Sequence, residues 1–437
     1  MAAALAVGTG GAVATAHDDG KGNVHSPSMD AQEFEFENVA AAKANEKGSA
    51  PGSFAPCING MAAKTFPCDG VDMMSHLTRA DLGLSFVNDI WGWTDGETGK
   101  EYAIVGGVEG TAFVDITDPM RPKVRGLLPT HSTAGNQVWR DMKVANNHVY
   151  VVSEHTDHGL QVFDLTELRG TTGEDAVFGE TAHYAAFGAA HNVNINKDSG
   201  FAYVIGSGTC EGGLHMVDIN DPANPAFAGC YDESGYIHDT QCVMYDGPDA
   251  RYKDREICVS SNAERTAEGL ENTVAISDVT DKSNPVTLSR TFYPNDGYSH
   301  QGWLTEDQGY FLHGDELDEA YNGINTSTRI WDVRDLENPE LIGTHDNGTA
   351  SIDHNLYTKG DKVFASNYTS GLRVLDSSNV ADGELSEVGY FDVYPENDNA
   401  TFEGGSWSNY PYFDDVVAVG SMERGLFILK PRGDTRP

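Results

Sequence analysis

The stretch GLRVLD, residues 371–376, decides the fold, because the chain repeats it. Close copies are GTAFVD (110–115), GLQVFD (159–164) and GLHMVD (213–218). Looser copies are TVAISD (273–278), STRIWD (327–332) and GLFILK (425–430), the last ending on Lys rather than Asp. The closing residues 115, 164, 218, 278, 332, 376 and 430 stand 44 to 60 positions apart. Each copy opens on Gly or a small polar residue, runs through β-branched, aromatic or Leu side chains and stops at turn residues. That is a buried strand closed by a turn, not a helix. A period of roughly 40–50 residues built from short strands marks a propeller or a similar array. Seven copies predict an all-β chain folded as a seven-bladed β-propeller.

Four strand-like segments recur in order in the first six repeats, which predicts four-stranded blades. Asp-Pro or Asn-Pro pairs (118–119, 221–222, 224–225, 284–285 and 338–339) follow the third segment. Pro after Asp or Asn starts a turn and stops the strand, so the chain reverses there into an outer fourth strand. The seventh repeat has only three segments before the chain nearly ends. Residues 71–78 (VDMMSHLT) are the expected source of its fourth strand, so that an N-terminal strand closes the ring and removes the exposed sheet edges.

The 437 residues thus divide into a signal-peptide remnant over 1–16, a flexible acidic lead-in over 17–56, the propeller over 57–430 and a tail over 431–437. The leader has an apolar run and an A-x-A-like site (Ala14, Thr15, Ala16) but no basic n-region. The lead-in is too poor in apolar groups to bury its own surface. Lys and Arg number 28 against 67 Asp and Glu, a formal charge of −39. This excludes nucleic acid and anionic membrane surfaces as partners, since both require a basic patch. No later stretch is long and apolar enough to be a transmembrane segment.

Six cysteines fall in local couples: Cys57 with Cys68, Cys210 with Cys230, and Cys242 with Cys258. Six allow fifteen connectivities. Neighbour pairing is the expectation, because each couple brackets one hairpin or loop. An even count behind a leader fits export to an oxidising compartment, extracellular or at the cell surface.

Several phrases resemble the bacterial LVIVD-repeat proteins known as choice-of-anchor B proteins. They are CINGMAAKTFPC (57–68), NDIWGWTD (88–95), SEHTDHGLQVFDLT (153–166), HNVNINKDSGFAYVIG (191–206), GDELDE (314–319) and DHNLYTKGDKVFASNYTSGLRVLD (353–376). The resemblance covers about residues 57–430. It implies an exported, surface-associated β-propeller whose relatives carry varied C-terminal anchors. After Lys430 only PRGDTRP follows, a departure from that pattern. The resemblance carries no catalytic residues over.

Polar pairs open the first strand of six repeats: Asn88-Asp89, Arg140-Asp141, His191-Asn192, His238-Asp239, His300-Gln301 and His354-Asn355. Glu403-Gly404 is read as the seventh. First strands are innermost in a propeller, so these positions circle one mouth of the channel. His191, His238, His300 and His354, with Glu403, are therefore candidate ligands for Zn, Cu or Fe, metals that imidazole suits. Asp89, Asp141, Asn192, Asp239, Gln301 and Asn355 are candidate ligand-binding residues of the same mouth. The competing reading is that each pair hydrogen-bonds strand ends around a water-filled channel. A second cluster, Asp315, Glu316, Asp318 and Glu319, lies in an inserted loop and offers hard oxygens suited to Ca²⁺, though without EF-hand spacing. A solvated acidic loop is the plainer reading. Asp246, Asp249 and Asp254 are a weaker version of it.

There is no G-x-S-x-G, H-E-x-x-H or Walker motif. Two functions stay open. One is an exported propeller binding an extracellular protein, glycan or small ligand. The other is a metal-dependent enzyme, oxidase or hydrolase, centred on the His ring. Fold alone does not choose, because propellers host both.

Overall fold

The computed structural model of the chain describes residues 54–437 except 136–137, 174–175 and 267–268. The leader over 1–16 and most of the lead-in, 17–53, lie outside the described residues. Seven antiparallel blades are present, with first strands Val87–Thr94, Arg140–Ala145, Asn192–Asn196, Ile237–Met244, Ser299–Leu304, Leu356–Lys359 and Ser406–Tyr410. These seven lie side by side in a closed circuit, the last against the first, and so line the central channel.

The repeated hexapeptide is the third strand of every blade: Gly110–Asp115, Leu160–Asp164, Leu214–Asp218, Gly269–Asp278, Ser327–Asp332, Leu372–Asp376 and Gly425–Pro431. Its two ends have distinct physical causes. At the opening glycine the backbone runs against the outer strand: a Cβ at Gly371 would stand 2.5 Å from the Phe391 carbonyl oxygen, and φ there is +76°. Both conditions select glycine. The closing Asp caps the turn that follows. Asp164 Oδ1 accepts from the Thr166 amide (2.9 Å), Asp218 from Asn220 (2.9 Å) and Asp376 from Ser378 (2.8 Å), each two residues on. These are side-chain turns that stop the strand locally.

The ring closes as expected. Val71–Leu77 pairs antiparallel with Gly425–Pro431, His76 opposite Phe427, and supplies the seventh blade's outer strand. What precedes it is also used. Phe66–Asp69 pairs with the outer strand of blade six, Ser386–Phe391, and Met61–Ala62 extends that sheet to six strands. Ala55 exchanges two backbone hydrogen bonds with Met73 (2.8 and 3.0 Å), so the chain is docked on the seventh blade from that residue. The tail is likewise docked: the Arg432 amide and Thr435 Oγ1 both donate to the Gly70 carbonyl (2.7 and 2.9 Å).

Three disulfides join Cys57–Cys68, Cys210–Cys230 and Cys242–Cys258, the pairing expected from the couples. The third bridges directly opposed residues of neighbouring strands in blade four. Among the described residues no helix is long and apolar enough to cross a membrane.

Candidate functional site

The first strands begin at one mouth of the channel and end at the other, so the two mouths have different linings. At the starting mouth, β-bulges interrupt the ladders between Ile237 and Asp239, between Ser299 and Gln301, and between Ser406 and Ser408. A bulge re-aims the residue it leaves unpaired. Those residues are His238, His300 and Trp407. The seventh equivalent of the histidines is therefore Trp407, not Glu403. Glu403 lies outside the strand, its Oε1 accepting from Asn397 Nδ2 at 2.6 Å. A four-residue offset before a short strand is invisible without the pairing partner of that strand.

The four histidines do not converge on one point. They form an arc of successive neighbours, with ring centroids 4.5 Å apart for His191–His238, 4.2 Å for His238–His300 and 4.3 Å for His300–His354. His238 Nδ1 donates to the His300 carbonyl (2.8 Å), and His354 Nδ1 donates to the Trp407 carbonyl. A carbonyl can only accept, so Nδ1 carries the proton in both rings and Nε2 carries the lone pair. His191 Nδ1 lies 2.7 Å from Glu154 Oε1. Burial holds His238 and His300 well below the usual imidazole pKa and His354 at about 3. The rings of His238, His300 and His354 are neutral.

The inserted acidic loop is not solvated. Asp315, Glu316, Asp318 and Glu319 are all buried, because buried Leu317 and the short helix Asp318–Asn322 tuck it against blade five. Nor do the four form one oxygen cage. Asp315 is pinned by the Gly297 amide (2.9 Å) and Tyr293 Oη (2.6 Å), and Asp318 pairs with Arg329 (2.7 Å). Glu319 stands beside Asp318 and Asp353, and burial raises its carboxyl. Glu316 alone turns to the histidines: Oε2 lies 3.7 Å from His300 Nε2, Oε1 lies 3.6 Å from His354 Nε2, and Tyr368 Oη donates to Oε1 at 2.8 Å. The weaker acidic candidates are also used in ion pairs, Asp249 with Arg251 (2.6 Å) and Asp246 with Lys253 (2.6 Å).

The remaining candidates mostly tie blade to blade. Asn192 Nδ2 donates to the His238 carbonyl (2.9 Å), and Gln301 makes both hydrogen bonds to the Leu356 backbone (3.0 and 3.1 Å). Asn355 Nδ2 donates to Ser408 Oγ (3.2 Å). Asp141 accepts from the Val193 amide (2.8 Å) and pairs with Lys143 (2.6 Å), which also approaches Asp89 (3.4 Å). Burial pushes both carboxyls up. At Asp141 the charge of Lys143 and its hydrogen bonds outweigh burial and hold it low, while Asp89 stays well above the usual range. Burial raises Asp239 to about 7. These buried titratable groups occupy the channel between the mouths.

The opposite mouth holds a cavity of about 440 Å³. Trp91, Trp303, Tyr410 and Tyr412 line it, with Lys143, Asn194 and Gln241 among its polar groups. Trp91 packs edge-on against Tyr410 at 5.1 Å, and Lys143 Nζ lies 4.6 Å from the Trp91 ring. This mouth is not legible in the sequence. Its aromatic residues come from blades one, five and seven, at or just past the ends of first strands, and an isolated Trp or Tyr there reads as core. Equally without a sequence signal are His131, Glu180 and His183, which meet at the surface, the two imidazoles stacked at 3.5 Å between centroids.

No family model and no curated protein matches the chain. Solved structures resemble it at the level of fold. One is a functionally unknown protein from Desulfotomaculum acetoxidans, 12% identical, with a TM-score of 0.48 over 73% of this chain and 89% of that one. Another is the β-propeller domain of Cps50 (Swd1) from Myceliophteria thermophila, 12% identical, with a TM-score of 0.45 over 76% and 93%. A third is the computationally designed Ika8 protein, 9% identical, with a TM-score of 0.47 over 79% and 83%. Likeness this distant carries no function. The chain is a seven-bladed β-propeller, with a histidine-rich mouth and an aromatic mouth to its channel.

Proposed function

We propose that this propeller is an exported binding module that takes a glycan at its aromatic mouth. The observation that carries the reading is the cavity of about 440 Å³ bounded by Trp91, Trp303, Tyr410 and Tyr412. A sugar ring presents apolar C–H faces that rest on aromatic rings and hydroxyls that need amide partners, and ligand sites combine such walls with a few placed polar groups. Asn194 and Gln241 fit that need. Their side-chain oxygens accept from the Cys242 amide (3.1 Å) and the Leu304 amide (2.7 Å), which orients the NH₂ groups as donors for a ligand. Three disulfides, and the phrases shared with LVIVD-repeat proteins, support an extracellular or cell-surface setting.

The rival reading, a metal-dependent oxidase or hydrolase, is favoured by the approach of His300 and His354 to Glu316. The cavity beside those histidines is about 20 Å³, room for one water and not for an organic substrate. That supports binding over catalysis.

Titration with neutral oligosaccharides by calorimetry tests the proposal. Wild-type protein should bind, and Trp303→Ala and Tyr412→Ala should abolish binding with little change in melting temperature, since both side chains are only half-buried. Binding of a deglycosylated protein ligand, unaffected by these variants, would overturn it.

A further inference from the structure

We propose that His300, Glu316 and His354 hold one divalent transition-metal ion at the histidine-rich mouth, clamping blades five and six together. This site is independent of the glycan reading, because it lies at the other end of the channel.

The separations carry the argument. Both Glu316–imidazole distances, 3.7 Å to His300 Nε2 and 3.6 Å to His354 Nε2, are too long for hydrogen bonds. Two donors on one ion, each about 2.0–2.2 Å from it, stand roughly 3–4 Å apart. One ligand atom from each of the three residues lies within 4.8 Å of the other two, and all three residues are buried. Two imidazoles and one carboxylate form a donor set that suits Zn²⁺ or Fe²⁺ and leaves coordination positions open.

The surroundings match a metal site rather than a chance meeting. His354 is held by Nδ1 on the Trp407 carbonyl, which presents Nε2, and Tyr368 Oη donates to Glu316. Outer partners of this kind fix the tautomer and the orientation of ligands. His300 is the exception: its Nδ1 is buried with no hydrogen-bond partner among the described residues. The adjoining cavity of about 20 Å³ accommodates one water on an open position.

The test uses untagged full-length protein, stripped with chelator and dialysed against Zn²⁺, Fe²⁺ (anaerobically) or Ca²⁺ in turn. We expect one tightly held equivalent of Zn²⁺ or Fe²⁺, no comparable uptake of Ca²⁺, and a raised melting temperature on loading. Co²⁺ loaded in their place should show the visible absorption of a nitrogen-ligated ion. Glu316→Gln and His354→Gln should weaken uptake about a hundredfold or more, and Tyr368→Phe, an outer partner, by about 10–100-fold. His183→Gln, at the exposed His131–Glu180–His183 cluster, should leave that equivalent in place. Should Glu316→Gln misfold, Tyr368→Phe and the Co²⁺ spectrum still decide. No tight equivalent in the wild-type protein, or uptake lost with His183→Gln and kept with Tyr368→Phe, would overturn the assignment.

Discussion

His76 stacks on Phe427 with ring centroids 4.2 Å apart, and its Nε2 meets the Arg424 carbonyl at 2.8 Å. The contact joins the N-terminal closing strand Val71–Leu77 to the last strand of the chain, so the ring is held shut by side chains as well as by the backbone ladder. Deleting residues up to Thr78 should therefore lower the melting temperature sharply, whereas deleting up to Ser53 should not. His76→Ala, which loses the hydrogen bond to Arg424 and the stack on Phe427, should cost about 1–2 kcal/mol or more. Equal melting temperatures for the two truncations would remove the closure argument.

Lys143 is buried between two carboxylates, Asp141 at 2.6 Å and Asp89 at 3.4 Å. Removing one partner of a buried ionic group strands the others. Lys143→Met should cost about 3–5 kcal/mol in urea denaturation. Adding Asp89→Asn and Asp141→Asn should recover a large part of that loss. If the triple variant is no more stable than the single one, the cost of Lys143→Met comes from packing instead.

His215 supplies a pH signature remote from the channel. It is buried, with Nε2 2.9 Å from Tyr184 Oη and Nδ1 2.9 Å from Thr209 Oγ1, and burial lowers its pKa to about 4. The unfolded chain takes up this proton below about pH 6.5, the folded chain only near pH 4. Stability from this group is thus full above pH 6.5 and falls as the pH drops, by on the order of 3 kcal/mol at pH 4. His215→Gln should make the profile between pH 6.5 and 4 shallower without flattening it, because buried His238, His300 and His354 contribute in the same sense. An unchanged slope in the variant would assign the acid sensitivity elsewhere.

Non-reducing peptide mapping should recover Cys57–Cys68, Cys210–Cys230 and Cys242–Cys258. Replacing Cys242 and Cys258 together by Ala should cost about 2–3 kcal/mol, the low end for a native bridge, because the ladder around them stays paired. Free thiols in exported protein would contradict both the pairing and the compartment.

Gly371 and Asp376 bracket a strand for local reasons, a close approach of the outer strand and a side-chain turn, and local reasons repeat along a chain where they can be read. The same holds for the neighbouring cysteine couples. Legibility ends where a partner comes from far along the chain. Glu403 follows the sixth blade at a distance that suits a seventh mouth residue, yet the bulge between Ser406 and Ser408 gives that place to Trp407. Four aromatic residues of the opposite mouth, one of them Trp91 and another Trp303, carry no local signal at all.

What the sequence alone determined is the number of blades, the strand that repeats in each and the N-terminal strand that closes the ring. Short apolar runs and turn chemistry act within a few residues, so they can be read in order. What only the tertiary structure decided is the company each polar group keeps. Glu316 sits in an acidic run with Asp315, Asp318 and Glu319, which reads as a loop in water. Burial of Leu317 turns that run inward and brings Glu316 to Tyr368, 52 residues on, and to His300 and His354. Side chains in a closed ring meet across blades, and that distance has no expression in sequence spacing.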